Sequence, residues 1–267
     1  MRVADLTSSR ELLWNLTLRE LRGKYKRSVL GWAWSMLNPL ANMLVYTFVF
    51  GVVLVQKPEP MASGHRVFAF YLLSGLLPWN FLAGTTGMAM GALVGNAGLV
   101  RKVWFPREVL VFSVSGSLLV QFLIEMGLLS TALMIGGNFI LPWLPLVLVL
   151  MLLLVAFATG IGLALAAVNV YLRDVGYLWT IFSQLWFFAT PIVYVATTVS
   201  KRLPHWGVIL YEGNPMTVFT RSFRKVLYEL QWPTVNQLSY MAALSVVSLT
   251  GGLWLFNRLS PRFAEEL

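Results

Sequence analysis

Long apolar runs alternate with short polar connections along this chain, and the runs have the lengths of membrane spans. Ser35 to Val55 carries no charge over 21 residues, which at about 1.5 Å per residue is enough to cross a hydrocarbon core of about 30 Å. Val67 to Ala92 is the second run, and Pro78 within it predicts a kink, because proline removes a backbone donor and crowds the turn before it. Val109 to Ile135 and Trp143 to Leu172 follow, divided by the turn residues Gly136, Gly137, Asn138 and Pro142. Tyr177 to Val199, with Pro191 in its last third, and Leu238 to Leu255 complete six.

Three further stretches are amphipathic. In the amino-terminal segment, Ser8 and Glu11 have the spacing of a capping box and predict a helix from near Ser9. Trp14, Leu18, Leu21 and Tyr25 then share one side and Arg19, Arg22 and Lys26 another, as in a helix lying in the membrane interface. In the loop from Gly95 to Glu108, Asn96 is placed to cap a helix that Pro106 stops at or before Phe105. Leu99, Val100, Val103 and Trp104 fall on one side of it, with Arg101 and Lys102 turned away. Such a helix suits a groove in a partner, but on spacing alone a juxtamembrane anchor is preferred, with Trp104 at the interface and Arg101, Lys102 and Arg107 on headgroups. Between Lys201 and Gln237, Asn214 can cap and Pro215 suits the first helical position. Phe219, Phe223, Val226, Leu227 and Leu230 then form a stripe opposite Arg221, Arg224 and Lys225, which predicts a helix that dips into the interface or re-enters.

Composition fits this pattern: 58% of the residues are hydrophobic, 12% are charged and the mean hydropathy is +0.72. A water-soluble domain needs more charge than that to cover its surface. There is no cysteine, which removes disulfides and thiolate metal sites. Seven basic residues precede the first run, whereas a secretory signal would place its apolar stretch earlier, so the amino terminus is expected to be retained.

Six spans place both termini on one side. That side then holds Arg2, Arg10, Arg19, Arg22, Lys24, Lys26, Arg27, Arg101, Lys102, Arg107, Arg173, Arg258 and Arg262, thirteen against seven on the other. The positive-inside rule therefore predicts cytosolic termini. The expected fold is an all-α integral membrane protein. Its parts are a cytosolic segment 1–34, a six-span domain 35–257 containing the loop 95–108 and the segment 200–237, and a cytosolic tail 258–267.

Catalytic chemistry is hard to place here. His65, His205, Asp174 and Glu125 form no acid–base or ligand constellation, so neither catalytic nor metal-binding residues are assigned, and no phosphate-binding G-x-x-x-x-G-K-[ST] loop occurs. Ser113, Ser117, Gln121 and Glu125 recur at steps of four on the third run and should face protein or water. For Gln121 and Glu125 an interhelical hydrogen bond is preferred over a pathway role. Trp179, Phe182 and Trp186 on the fifth run, with Tyr194 beyond, and Tyr46 and Phe50 on the first, could stack on sugar rings. From spacing alone, packing against lipid or helices is the default.

A series of motifs occurs in order: LGWAWSMLNPL from Leu30 to Leu40, SGLLPWNF from Ser74 to Phe81, NAGLVRKVWFPRE from Asn96 to Glu108, YLRD from Tyr171 to Asp174, TPIVY from Thr190 to Tyr194 and NPM from Asn214 to Met216. From about Trp14 to the last run, the chain resembles the permease subunits of type-2 ABC exporters for polysaccharides, which move O-antigens, capsules, teichoic acids and related wall glycans.

The resemblance implies a homodimer in a bacterial inner membrane with two copies of a separate cytosolic ATPase. ATP and magnesium would be held there, and no cofactor by this chain. It implies that Asn96, Leu99, Val100, Arg101, Lys102, Val103, Trp104 and Phe105 belong to a coupling helix, and that the amino-terminal helix with Trp14, Leu18, Arg19, Leu21, Arg22, Tyr25 and Lys26 is a second contact. The cargo would be a lipid-linked glycan entering near that helix, Asn214 to Leu230 would form re-entrant helices on the outer side, and Tyr46, Phe50, Trp179, Phe182, Trp186 and Tyr194 become candidate channel lining. Membrane lipids are expected partners and nucleic acid is not. A drug or lipid exporter of the same architecture, an ATP-independent secondary transporter and a membrane glycosyltransferase are the competing readings.

Overall fold

The computed structural model describes residues 10–24, 34–55, 58, 60–195 and 204–267. Those residues form helices and connections without a strand. In chain order the helices are α1 Arg10–Lys24, α2 Trp34–Tyr46, α3 Phe68–Gly95, α4 Ala97–Lys102, α5 Glu108–Ile135, α6 Leu144–Tyr171, α7 Val175–Ala189, α8 His205–Gly213, α9 Pro215–Arg224, α10 Val235–Leu259 and α11 Phe263–Glu266. Three segments, Glu108–Ile135, Leu141–Tyr171 and Val235–Glu266, are long and apolar enough to cross a membrane. The α3 helix equals α5 and α6 at 28 residues and runs unbroken through Pro78. Two shorter apolar helices, Leu40–Val53 and Val175–Ala189, accompany them.

The α6 and α10 helices pack against each other at very close range. Gly160 and Gly252 face each other so closely that a methyl group on either would overlap the backbone of the other helix. Serines close the same seam, Ser245 Oγ donating to the Leu153 carbonyl at 2.7 Å and Ser248 Oγ to that of Phe157 at 2.8 Å. Small residues let membrane helices approach until dispersion and such hydrogen bonds hold them, since lipid offers no hydrophobic drive between helices. Thr159 donates across to Ser115 of α5 at 3.0 Å, and Asn169 to the Met90 carbonyl of α3 at 2.9 Å, completing the bundle.

The first and fifth expected spans are not continuous α-helix. In the first, the α-helix changes to π-helical turns at Thr47–Val53. The fifth expected span, Tyr177 to Val199, is helical only to Ala189: Thr190 takes an extended conformation (φ −105°, ψ 138°) because Pro191 drives the residue before it out of the α region. Residues 196–199 lie outside the described residues, as do Ser8 and Ser9 of the expected capping box and Tyr25 and Lys26 of the amino-terminal helix. A capping box occurs at the start of α10, where Thr234 and Gln237 bond reciprocally. The tail, expected to be short and polar, folds back as α11 with Phe263 fully buried.

Candidate functional site

The loop 95–108 is the first candidate. Asn96 occupies the cap position of α4, but its side chain does not cap: Nδ2 donates to the Ala92 carbonyl at 2.8 Å, closing α3, while Oδ1 accepts from Arg19 Nη2 at 2.8 Å. Arg19 also pairs with Glu20 at 2.9 Å, so the amino-terminal helix and the loop are joined by one polar contact. The helix ends earlier than its spacing suggests, at Lys102, and Val103 is extended (φ −126°, ψ 134°). The single apolar side expected of Leu99, Val100, Val103 and Trp104 is therefore split. Val100 and Phe105 are buried and Leu99 packs against the core, whereas Val103 is 52% and Trp104 91% exposed beside exposed Arg101 and Lys102.

On α1 Leu16, Thr17 and Leu21 are buried, so of the expected stripe Leu21 turns to protein while Trp14 is 63% exposed. The α1 helix crosses α5 at Gly116, where a Cβ would come within 3.3 Å of Thr17 Oγ1. Leu18 is half-buried, and Arg19 and Arg22 are exposed. A surface helix resting on protein through small residues leaves its indole and guanidinium groups to the interface.

The second candidate is the aromatic array. Trp179, Phe182 and Trp186 of α7 pack in sequence with tilted rings, their centroids 5.3 Å and 5.4 Å apart. Trp186 continues to Trp79 of α3 at 5.8 Å, Trp79 to Phe187 at 5.6 Å, and Phe187 to Tyr46 of α2 at 6.2 Å. The array thus bridges α2, α3 and α7, with Phe50 joined to Tyr46 at 6.4 Å. Its members are not equivalent. Trp179 Nε1 donates to Thr86 at 3.1 Å and Trp186 Nε1 to Asn214 at 2.7 Å, both half-buried, while Phe182 is 50% exposed. Tyr194 is half-buried and donates to the Phe188 carbonyl at 3.0 Å. Trp79, which spacing does not connect to the other aromatics, is the buried hinge of the array.

The connection after α7 is tied to α9. Asn214 Oδ1 accepts from Met216 N at 3.0 Å, the cap that the sequence predicts, and its Nδ2 donates to the Ala189 carbonyl and Thr190 Oγ1, each at 3.2 Å. Arg224 departs from expectation. Rather than sharing an exposed face with Arg221 and Lys225, it is buried, donating to the carbonyls of Pro191, of Ile192 at 2.6 Å and of Tyr71 at 3.1 Å, with the Tyr71 ring 3.7 Å from its guanidinium carbon. The carbonyls of Pro191 and Ile192 belong to the non-helical turn after α7, where buried backbone acceptors lack helical partners, and the guanidinium supplies the donors. Arg221 pairs with Glu212 at 3.6 Å and Lys225 bonds Gln237 at 3.2 Å, so all three cations are engaged within the fold. Buried Asn138 binds the end of this region, donating to the Tyr228 carbonyl at 2.8 Å and accepting from Ser63 N at 3.1 Å.

Within α5, Ser113 and Ser117 bond their own helix and Gln121 Nε2 donates to buried Glu125 at 2.7 Å. The polar stripe thus faces protein. The bond from Gln121 to Glu125 lies within the helix. A cavity of about 260 Å³ lies beside it, walled by Leu40, Leu73, Leu77, Leu128, Leu129 and Ala132. Among the described residues no cluster of His, Asp or Glu could hold a metal ion.

Comparison with known proteins agrees with this architecture. The family profile described as ABC-2 type transporter matches residues 11–228. The O-antigen export system permease protein RfbA of Myxococcus xanthus is 32% identical over 99% of this chain and 98% of its own. A protein of the same name from Klebsiella pneumoniae is 29% identical over 96% and 95%. The polysialic acid transport protein KpsM of Escherichia coli is 32% identical over 84 residues, 32% of this chain and 31% of its own.

Proposed function

The chain belongs to the ABC-2 type transporter family, and from that premise we propose that it is the membrane subunit of an ATP-driven exporter of a cell-envelope polysaccharide. It works as a homodimer in a bacterial inner membrane with two copies of a separate ATPase. Six spans, drawn from α2, α3, α5, α6, α7 and α10, place the termini and the loop 95–108 in the cytosol. The cargo is a lipid-linked polysaccharide of the O-antigen, polysialic acid or teichoic acid kind, in keeping with full-length similarity to O-antigen permeases.

The observation that carries the reading is the division of the loop. Val100 and Phe105 fix it to the bundle, while Val103 is half exposed and Trp104 almost wholly so. A large aromatic standing free beside two cations is the composition of an interface anchor, for aromatic rings provide contact area at little entropy cost. The half-exposed array from Trp179 to Trp186 supports a path that sugar rings could slide along, because stacking is tolerant of ring identity.

The test is to reconstitute the chain in nanodiscs with the ATPase encoded beside it and to compare Trp104→Asp and Val103→Asp with the wild type. Loss of complex formation at unchanged thermal stability is expected. A Trp104→Asp chain that binds the ATPase and stimulates its turnover normally would remove the assignment. Val100→Asp, in contrast, should fail at folding, since it places a charge in the core.

A further inference from the structure

The carboxy-terminal turn meets the loop 95–108. Ser260–Arg262 turns the chain off α10, and α11 then seats Phe263 at zero exposure. Its ring packs edge-on against Phe256 of α10 at 5.3 Å and against Tyr171 of α6 at 6.1 Å. Arg107, near the end of the loop, lies 6.0 Å over the same ring and donates to the Ser260 carbonyl. Tyr171 donates to the Leu259 carbonyl at 2.8 Å, so the ends of α6 and α10 are fastened at this point as well as at Gly160 and Gly252. The α11 helix also touches α4 itself.

We infer that Phe263, held by Arg107, is a positioning residue: it is the bearing through which displacement of the loop reaches α6 and α10 as one body. A six-residue helix has little stiffness of its own and can pass on a push only through what it rests upon. Behind α4 that support includes α11, and behind α11 are two helices whose backbones touch and which cannot shear without breaking the serine bonds. A buried ring among three separate segments is a close-packed contact, and close-packed contacts transmit strain because they do not compress. The relay rests on the proposed meeting of the loop with an ATPase; the seating of the loop by the tail does not.

The absence of cysteine makes the test direct. With a nitroxide at Lys102→Cys in the chain alone, Phe263→Ala should convert an ordered spectrum into a mobile one, while Phe263→Leu, which keeps most of the packing, should stay near wild type. In the complex with the ATPase, trapping with ATP, magnesium and vanadate should shift a nitroxide at Trp254→Cys on α10, and Phe263→Ala should abolish that shift while ATP turnover persists. Should Phe263→Ala not fold, Arg107→Met, which removes both the donor to the Ser260 carbonyl and the charge over the ring, must loosen the Lys102→Cys label in the same direction. An unchanged label at Lys102→Cys in folded Phe263→Ala, or an undiminished nucleotide response at Trp254→Cys, overturns the inference. A wild-type chain that binds no ATPase would instead remove the reading in the preceding subsection, and the spectra of the chain alone would still decide the seating.

Discussion

Trp186 donates its indole N–H to Asn214 Oδ1 at 2.7 Å, so the last turn of α7 hangs on the residue that caps α9. Asn214→Ala removes the cap, costing about 1 kcal/mol, and leaves the indole donor unpaired at a further 1–3 kcal/mol or so. Asn214→Asp keeps the acceptor for Trp186 and Met216 and loses only the donor to Ala189 and Thr190, so it should fall between wild type and alanine. Trp186→Phe should cost about 1 kcal/mol and be less than additive with Asn214→Ala, because both remove the same bond. Thermal unfolding in detergent measures all three. Additivity would mean that the bond contributes nothing.

Gly160 and Gly251 give predictions of opposite sign. A methyl at Gly160 would meet backbone of Ser248, which cannot rotate away, so Gly160→Ala must part α6 from α10. The cost is about 1–3 kcal/mol of overpacking, plus the serine bonds. Gly251 has nothing within 4 Å of a built Cβ, and Gly251→Ala should be neutral or stabilising by up to about 1 kcal/mol through helix propensity. Equal shifts in melting temperature would contradict the seam.

Arg224 tests the carbonyl cage. Arg224→Met leaves carbonyls short of donors but buries no charge, while Arg224→Lys still buries a charge and cannot reproduce the planar fork. Since an uncompensated buried charge costs about 3–5 kcal/mol, lysine should be the more damaging replacement, against the usual order of conservative substitution. A lysine variant as stable as wild type would show that charge alone, not the geometry to Pro191, Ile192 and Tyr71, holds the end of α7.

How these positions read in sequence follows from whether their partners are local. The cap at Asn214 with Pro215 and the long apolar helices α5 and α6 depend on neighbours within a few residues, and each is found where the spacing places it. Arg224 sits between Arg221 and Lys225 and looks like part of a charged face. Its acceptors lie more than 30 residues earlier, at a helix end whose position depended on Pro191. Gly160 and Gly252 resemble the other glycines until two helices cross there. Phe263 is one aromatic in a polar tail, and its pocket comes from Arg107, Tyr171 and Phe256 together. The α4 helix shows a middle case: apolar spacing gives its existence, but the extended Val103 decides which apolar residues turn outward.

Phe182 and Trp79 separate lining from packing within one aromatic array. Phe182 lies between Trp179 and Trp186 with half of its surface free, so Phe182→Ala opens no internal cavity and should leave stability within about 1 kcal/mol of wild type. If α7 borders the path of the glycan, the same change should reduce surface display of the polymer in cells depending on this chain. Trp79 is buried against Trp186 and Phe187, and Trp79→Ala should cost about 3–5 kcal/mol and lower the amount of folded protein. Any loss of display in Trp79→Ala should then vanish when normalised to the amount in the membrane, whereas the loss in Phe182→Ala should remain. Undiminished display in Phe182→Ala would assign the exposed half of its ring to lipid or to a second copy, and would leave Trp179 and Trp186 as packing residues held by Thr86 and Asn214.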